Sequence, residues 1–113
     1  MRRFIRLMAL AIPVLAFPLP AFAADCFDVF GCSDKNIFKL ADLLDGPNCD
    51  FLYMMRNDIF ASHGYCFKTA KAIQSFGNDN CRTSNFDELG LNRVEKANVE
   101  TIVLAEQNKG CGG

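Results

Sequence analysis

The stretch from Leu52 to Tyr65 gathers a cation, a carboxamide, a carboxylate, a hydroxyl, an imidazole and a phenol among bulky apolar neighbours, in Arg56, Asn57, Asp58, Ser62, His63 and Tyr65. Such groups serve acid–base, nucleophilic or anion-binding chemistry. Their spacing narrows the choice. Ser62 and His63 are adjacent, and neighbours on a helix point apart, so they do not make a nucleophile and its base. Arg56, Ile59, Phe60 and His63 fall on neighbouring positions of one helix surface. A charge on a face otherwise meant for the core needs a partner. The end of the chain offers two, because Glu95, Asn98, Val99, Ile102 and Glu106 share one side of a later helix. Arg56 is therefore expected to form an ion pair with Glu95 or Glu106 that holds two helices together.

The other candidates have similarly local expectations. Asn57 is expected to bond nearby backbone, and His63 to cap a helix C-terminus, where the helix dipole favours a protonated imidazole. Tyr65 reads as a rim residue anchoring the next turn, and Glu95 as a cap or ion-pair partner. Arg56, Asn57, His63, Tyr65 and Glu95 thus form one polar cluster, either structural or ligand-binding. No residue is expected to be catalytic. There is no Gly-rich phosphate loop, and carboxylate pairs among thirteen acids mean little by themselves.

Six cysteines pose a separate question: Cys26, Cys32, Cys49, Cys66, Cys81 and Cys111. Zinc sites usually bring a close C-x2-C pair and redox enzymes a C-x-x-C. Neither is present, and His63 is the single histidine, so no metal and no cofactor is expected. An even count in an exported chain reads as three disulfides. Six cysteines allow about fifteen pairings, among which sequence does not decide. Loop arguments favour Cys66–Cys81 across a short helix, Cys26–Cys32 around Gly31, and Cys49–Cys111 between a helix entry and the chain end.

Export is read from the first residues. Arg2, Arg3 and Arg6 precede an uncharged run from Leu7 to Phe17, then Pro18-Leu19-Pro20 and Ala21-Phe22-Ala23. That is the three-part pattern of a signal peptide, cleaved after Ala23. The run is too short to span a bilayer, which needs about 20 residues, so no stable membrane insertion is expected after cleavage. Asp25 before Cys26 does not suit a lipid anchor, and the residues flanking Arg2-Arg3 fit twin-arginine export poorly. All thirteen acids but only nine of the twelve bases follow Ala23, leaving a net charge of −4. Such a domain has no electrostatic footprint for nucleic acid. Its 90 residues make one domain with a marginal core, which cross-links would reinforce.

Four helices must position the polar cluster. The first is predicted from a Ser33 cap, with Ile37, Leu40, Ala41 and Leu44 at helical spacing, ending at Asp45-Gly46-Pro47. The second starts near Asn48 or Asp50 and buries Leu52, Met55, Ile59 and Ser62, widened by Phe51 and Phe60. Gly64 closes it. The third is capped by Thr69, joins Ile73 and Phe76 on one face, and stops at Gly77. Turn residues follow from Gly77 to Asn80, and Thr83 to Gly90 reads as loop. The fourth opens on Asn92 with Glu95 three residues on, a capping-box spacing. It runs to about Asn108, with Val99, Ile102 and Val103 apolar. No strand is expected. The predicted fold is a compact all-α domain stapled by three disulfides, with the fourth helix across the second and third.

The stretch L-Y-M-M-R-N-D-I-F-A-S-H-G-Y-C-F-K-T, Leu52 to Thr69, resembles the YARHG domain of bacterial exported and envelope proteins. Leu91, Glu95, Asn98 with Val99, and Ile102 match the family's closing helix. The resemblance covers roughly Cys49 to Gln107 and implies a helical extracytoplasmic module. The chain departs from the name-giving motif, with Phe60 in place of its Tyr and Ser62 in place of its Arg. A cysteine-containing turn around Asn78 to Arg82 replaces an aromatic-rich segment. The expected organisation is a signal peptide (1–23), an N-terminal disulfide-containing extension with one helix (24–48), a YARHG-like helical domain (49–109) and a tail (110–113).

The expected function is that of a non-enzymatic exported module of the periplasm or cell envelope, binding a protein, peptide or cell-wall component. Sugar stacking usually needs exposed aromatic rings. The chain has no Trp and only Tyr53 and Tyr65, and its eight Phe after Ala23 read as core. The alternative is a secreted effector or inhibitor of another protein, which protruding loops at Phe27–Gly31 and Asn78–Asn85 would favour.

Overall fold

A computed structural model describes residues 26–112 of the chain. The expected signal peptide, 1–23, lies outside the described residues. The elements in order are β1 (Cys26–Phe27), β2 (Gly31–Cys32), α1 (Leu40–Asp45), α2 (Cys49–Ser62), α3 (Ala70–Phe76), a 3-10 turn (Phe86–Glu88) and α4 (Arg93–Asn108).

Three of the four helices start on side-chain caps that satisfy otherwise orphaned backbone N–H groups. Asn48 Oδ1 accepts from Phe51 N at 2.9 Å before α2. Thr69 Oγ1 accepts from Ala72 N at 3.2 Å before α3. Before α4 the reciprocal capping box is complete: Asn92 Oδ1 accepts from Glu95 N at 2.8 Å, and Glu95 Oε1 from Asn92 N at 3.0 Å.

The first helix differs from expectation. Ser33 caps no helix, and α1 begins only at Leu40, after Lys39, without a side-chain cap. The cause is distant in sequence. Asn98 on α4 donates to Ser33 O and Asn36 O and accepts from Phe38 N, at 2.8–2.9 Å. A helix from Ser33 would need those same groups for its own ladder. The buried positions shift accordingly: Phe38 and Leu43 are inside, while Ile37 and Leu44 are exposed.

The fold is also not purely helical. β1 and β2 form a two-stranded antiparallel ladder, Cys26 opposite Cys32 and Phe27 opposite Gly31. A disulfide joins Cys26 to Cys32. Two further bonds, Cys49–Cys111 and Cys66–Cys81, tie the start of α2 to the chain beyond α4 and clip the segment carrying α3. With separations of 6, 62 and 15 residues, the chain-entropy account gives about 2, 4 and 3 kcal/mol respectively.

The helices α2 and α4 pack together, α1 packs on α4, and α3 packs on α2. The expected seat of α4 across α2 and α3 is thus corrected to α2 and α1, because Asn98 draws the N-terminal segment onto α4. The main core joins Phe38, Leu43, Leu52, Met55, Ile59, Ile102 and Ala105. Each large side chain there contributes about 1.5–3 kcal/mol. A second core joins Phe60, Phe67, Ala72 and Leu89. In α3 the buried residue is Ala72, and Ile73 faces out at 41 % exposure. No helix among the described residues is long and apolar enough to cross a membrane.

Candidate functional site

Two polar links join the antiparallel helices α2 and α4. In the first, Arg56 Nε donates to Glu106 Oε1 at 2.7 Å and Nη2 to Oε2 at 3.1 Å. The side chains are 21 % and 11 % exposed, so this is a sheltered, two-pronged pair. Of the two partners expected for Arg56, Glu106 is the one it takes. Glu95 is committed one level higher, where its Oε2 lies 2.6 Å from His63 Nε2. An ionised carboxylate only accepts, which places the proton on Nε2. The other oxygen of Glu95 already accepts from Asn92 N. The carboxylate therefore serves the N-terminus of α4 and the C-terminus of α2 together.

His63 is fixed from its backbone side as well. Arg82 donates to His63 O through Nε at 3.1 Å and Nη2 at 2.6 Å, and Nη2 also approaches Leu89 O at 3.3 Å. A guanidinium at the carbonyl end of a helix is well placed for the helix dipole. Gly64 makes room for it. Its φ is +80°, and a Cβ there would lie 3.1 Å from Arg82 Cγ and Nε. Arg82 was expected to be solvated surface; its head group instead caps α2.

The remaining candidates separate. Asn57 Nδ2 donates to Tyr53 O at 2.9 Å, one helical turn back. Ser62 Oγ donates to Ile59 O at 2.8 Å, turned away from any partnership with His63. Tyr65 pairs with Thr83 in a parallel bridge. Its ring stacks on Phe86 at 4.6 Å and 11°, and meets Phe67 edge-on at 5.1 Å. Among the described residues no group of three or more His, Cys, Asp or Glu side chains is arranged to hold a metal.

Beside Tyr65 opens a groove of about 380 Å³. Its walls carry the rings of Tyr53, Phe60, Tyr65, Phe67 and Phe86, and its rim the cations Arg56, Lys68 and Lys71. Lys71 Nζ sits 4.0 Å above the Tyr53 ring, a cation–π arrangement. Phe86 is 52 % exposed, which corrects the assignment of every Phe to the core. The groove therefore brings Arg56, Asn57 and Tyr65 of the expected cluster together with Lys68, Lys71 and Phe86, and omits His63 and Glu95. The added residues come from the turn after α2, from α3 and from the 3-10 turn, so no single periodic pattern joins them. The one available signal was an aromatic, Phe86, inside a polar loop.

The architecture defines a small, disulfide-stapled helical module whose motif residues link α2 to α4 beside an aromatic groove. The YARHG domain family matches residues 33–107, well over half of the chain, and the chain belongs to that family. The match begins at Ser33 and so takes in the segment that Asn98 anchors. No curated protein and no solved structure matches the chain.

Proposed function

We propose that the chain is an exported, non-catalytic module of the bacterial periplasm or cell envelope that receives a partner in the groove between α2, α3 and Phe86. The observation carrying this reading is the division of labour among polar groups. His63, Glu95, Glu106 and Asn98 are bonded within the domain, whereas the aromatic and lysine side chains of the groove face open space. Three disulfides support an oxidising compartment, as does the signal-like segment 1–23. A protein or peptide partner suits the groove better than a glycan, because its one strongly exposed ring, Phe86, already stacks on Tyr65. Retention of an envelope protein by the immobilised chain, lost with Phe86→Ala, supports the proposal. Equal retention by both forms refutes it.

The reading as an effector or inhibitor rests on the other end of the molecule. Val29, at the tip of the β1–β2 hairpin, is 80 % exposed. The Asn78–Asn85 loop, in contrast, lies flat: Asn78 bonds Phe67 N and O at 2.7 and 2.9 Å, and Cys81 is bridged to Cys66. Partner capture that survives Phe86→Ala but fails with Val29→Asp would favour the inhibitor reading.

A further inference from the structure

Resting on the groove as the contact surface, we infer that its occupant is an acidic peptide segment of a partner protein, with carboxylates against Lys68 and Lys71 and an apolar side chain against the Tyr65–Phe86 stack. Three cations line the groove and no Asp or Glu does. Arg56 is neutralised by Glu106. Among the described residues Lys68 and Lys71 have no carboxylate within ion-pair distance. The carboxylates of Asp50 and Asp58 line the next groove, on the other side of Tyr53 and Lys71. The positive field is therefore one-sided, on a chain that is net acidic after Ala23. A low-dielectric aromatic wall beside such cations strengthens their pull on an anion.

The rest of the lining selects a peptide over a bare anion. Asn57 has its Nδ2 committed to Tyr53 O, which leaves Oδ1 as an acceptor beside the groove. An acceptor there suits a backbone N–H and repels a phosphate or free carboxylate. The Tyr65–Phe86 stack adds an apolar face that an inorganic ion cannot use.

Fluorescence anisotropy on the full exported chain, disulfides intact, tests this. The probes are a labelled octapeptide alternating Glu with Phe or Leu, and its counterpart with Lys in place of Glu. The acidic peptide should bind at least tenfold more tightly. Lys68→Glu with Lys71→Glu should weaken it at least tenfold; both residues are exposed, so the melting temperature should not change. Phe86→Ala should weaken it severalfold, and inorganic phosphate should not displace it. Equal affinity for both peptides, or no binding of either, overturns the inference. Tighter binding of the basic peptide, lost with Phe86→Ala, refutes the acidic ligand but keeps the groove. Acidic-peptide binding untouched by all three substitutions refutes ligand and groove together. Phe86-dependent sedimentation with cell-wall sacculi, without peptide binding, replaces the peptide by a glycan and also overturns the inference.

Discussion

Replacing Asn98 by Ala should be among the most damaging single changes in the domain. Asn98 is fully buried, at 0 % exposure. Its carboxamide accepts from Phe38 N at 2.8 Å and donates to Ser33 O at 2.9 Å and Asn36 O at 2.8 Å. Ser33 and Phe38 are themselves buried, at 2 % and 3 %, so water cannot replace the lost partner there without local opening. Each stranded group costs about 1–3 kcal/mol. Asn36 is exposed and its carbonyl can find water. Two sheltered groups and the vacated side-chain volume together give a loss of about 3–5 kcal/mol. That is a large fraction of the roughly 5–10 kcal/mol expected for a domain of this size. At about 4–8 °C per kcal/mol, the melting temperature should fall by roughly 15–30 °C. Hydrogen exchange gives the specific signature, since the Phe38 amide should lose its protection while the middle of α2 keeps more of its own. A fall below about 4 °C with the Phe38 amide still protected would refute the idea that Asn98 anchors the N-terminal segment.

Gly64→Ala should destabilise the domain by about 1–2 kcal/mol, because φ is +80° there and the new methyl would press on Arg82; thermal unfolding measures it, and an unchanged midpoint would show that Arg82 is not seated over Gly64. Replacing Cys66 and Cys81 together by Ser should lower stability in urea unfolding by about 3 kcal/mol, given their separation of 15 residues. A loss under about 0.5 kcal/mol would mean that the bridge constrains neither state.

Much of the helical framework was legible because its signals are local. Asn48, Thr69 and Asn92 cap helices within three residues of themselves, and such contacts recur wherever the sequence places them. The start of α1 was not legible, since its backbone groups are taken by Asn98, 60 to 65 residues away. The two-residue strands of the hairpin are too short to show any periodicity. Within the polar cluster, the need of Arg56 for an acid could be read from its apolar surroundings, but Glu95 and Glu106 share a helix side. Only the antiparallel register of α2 and α4 assigns Glu106 to Arg56 and Glu95 to His63. The groove was least visible, because Lys68, Lys71 and Phe86 approach Tyr53 and Asn57 only after α3 folds back on α2.

The central claim is that the charged motif residues hold α2 to α4. A double-mutant cycle of Arg56→Met and Glu106→Gln in urea unfolding measures this most directly. The pair is bidentate and mostly sheltered, so each single substitution should cost about 2–4 kcal/mol and the coupling energy should be about 1–3 kcal/mol. Additive effects within about 0.3 kcal/mol, with either single variant as stable as the native chain, would contradict the account.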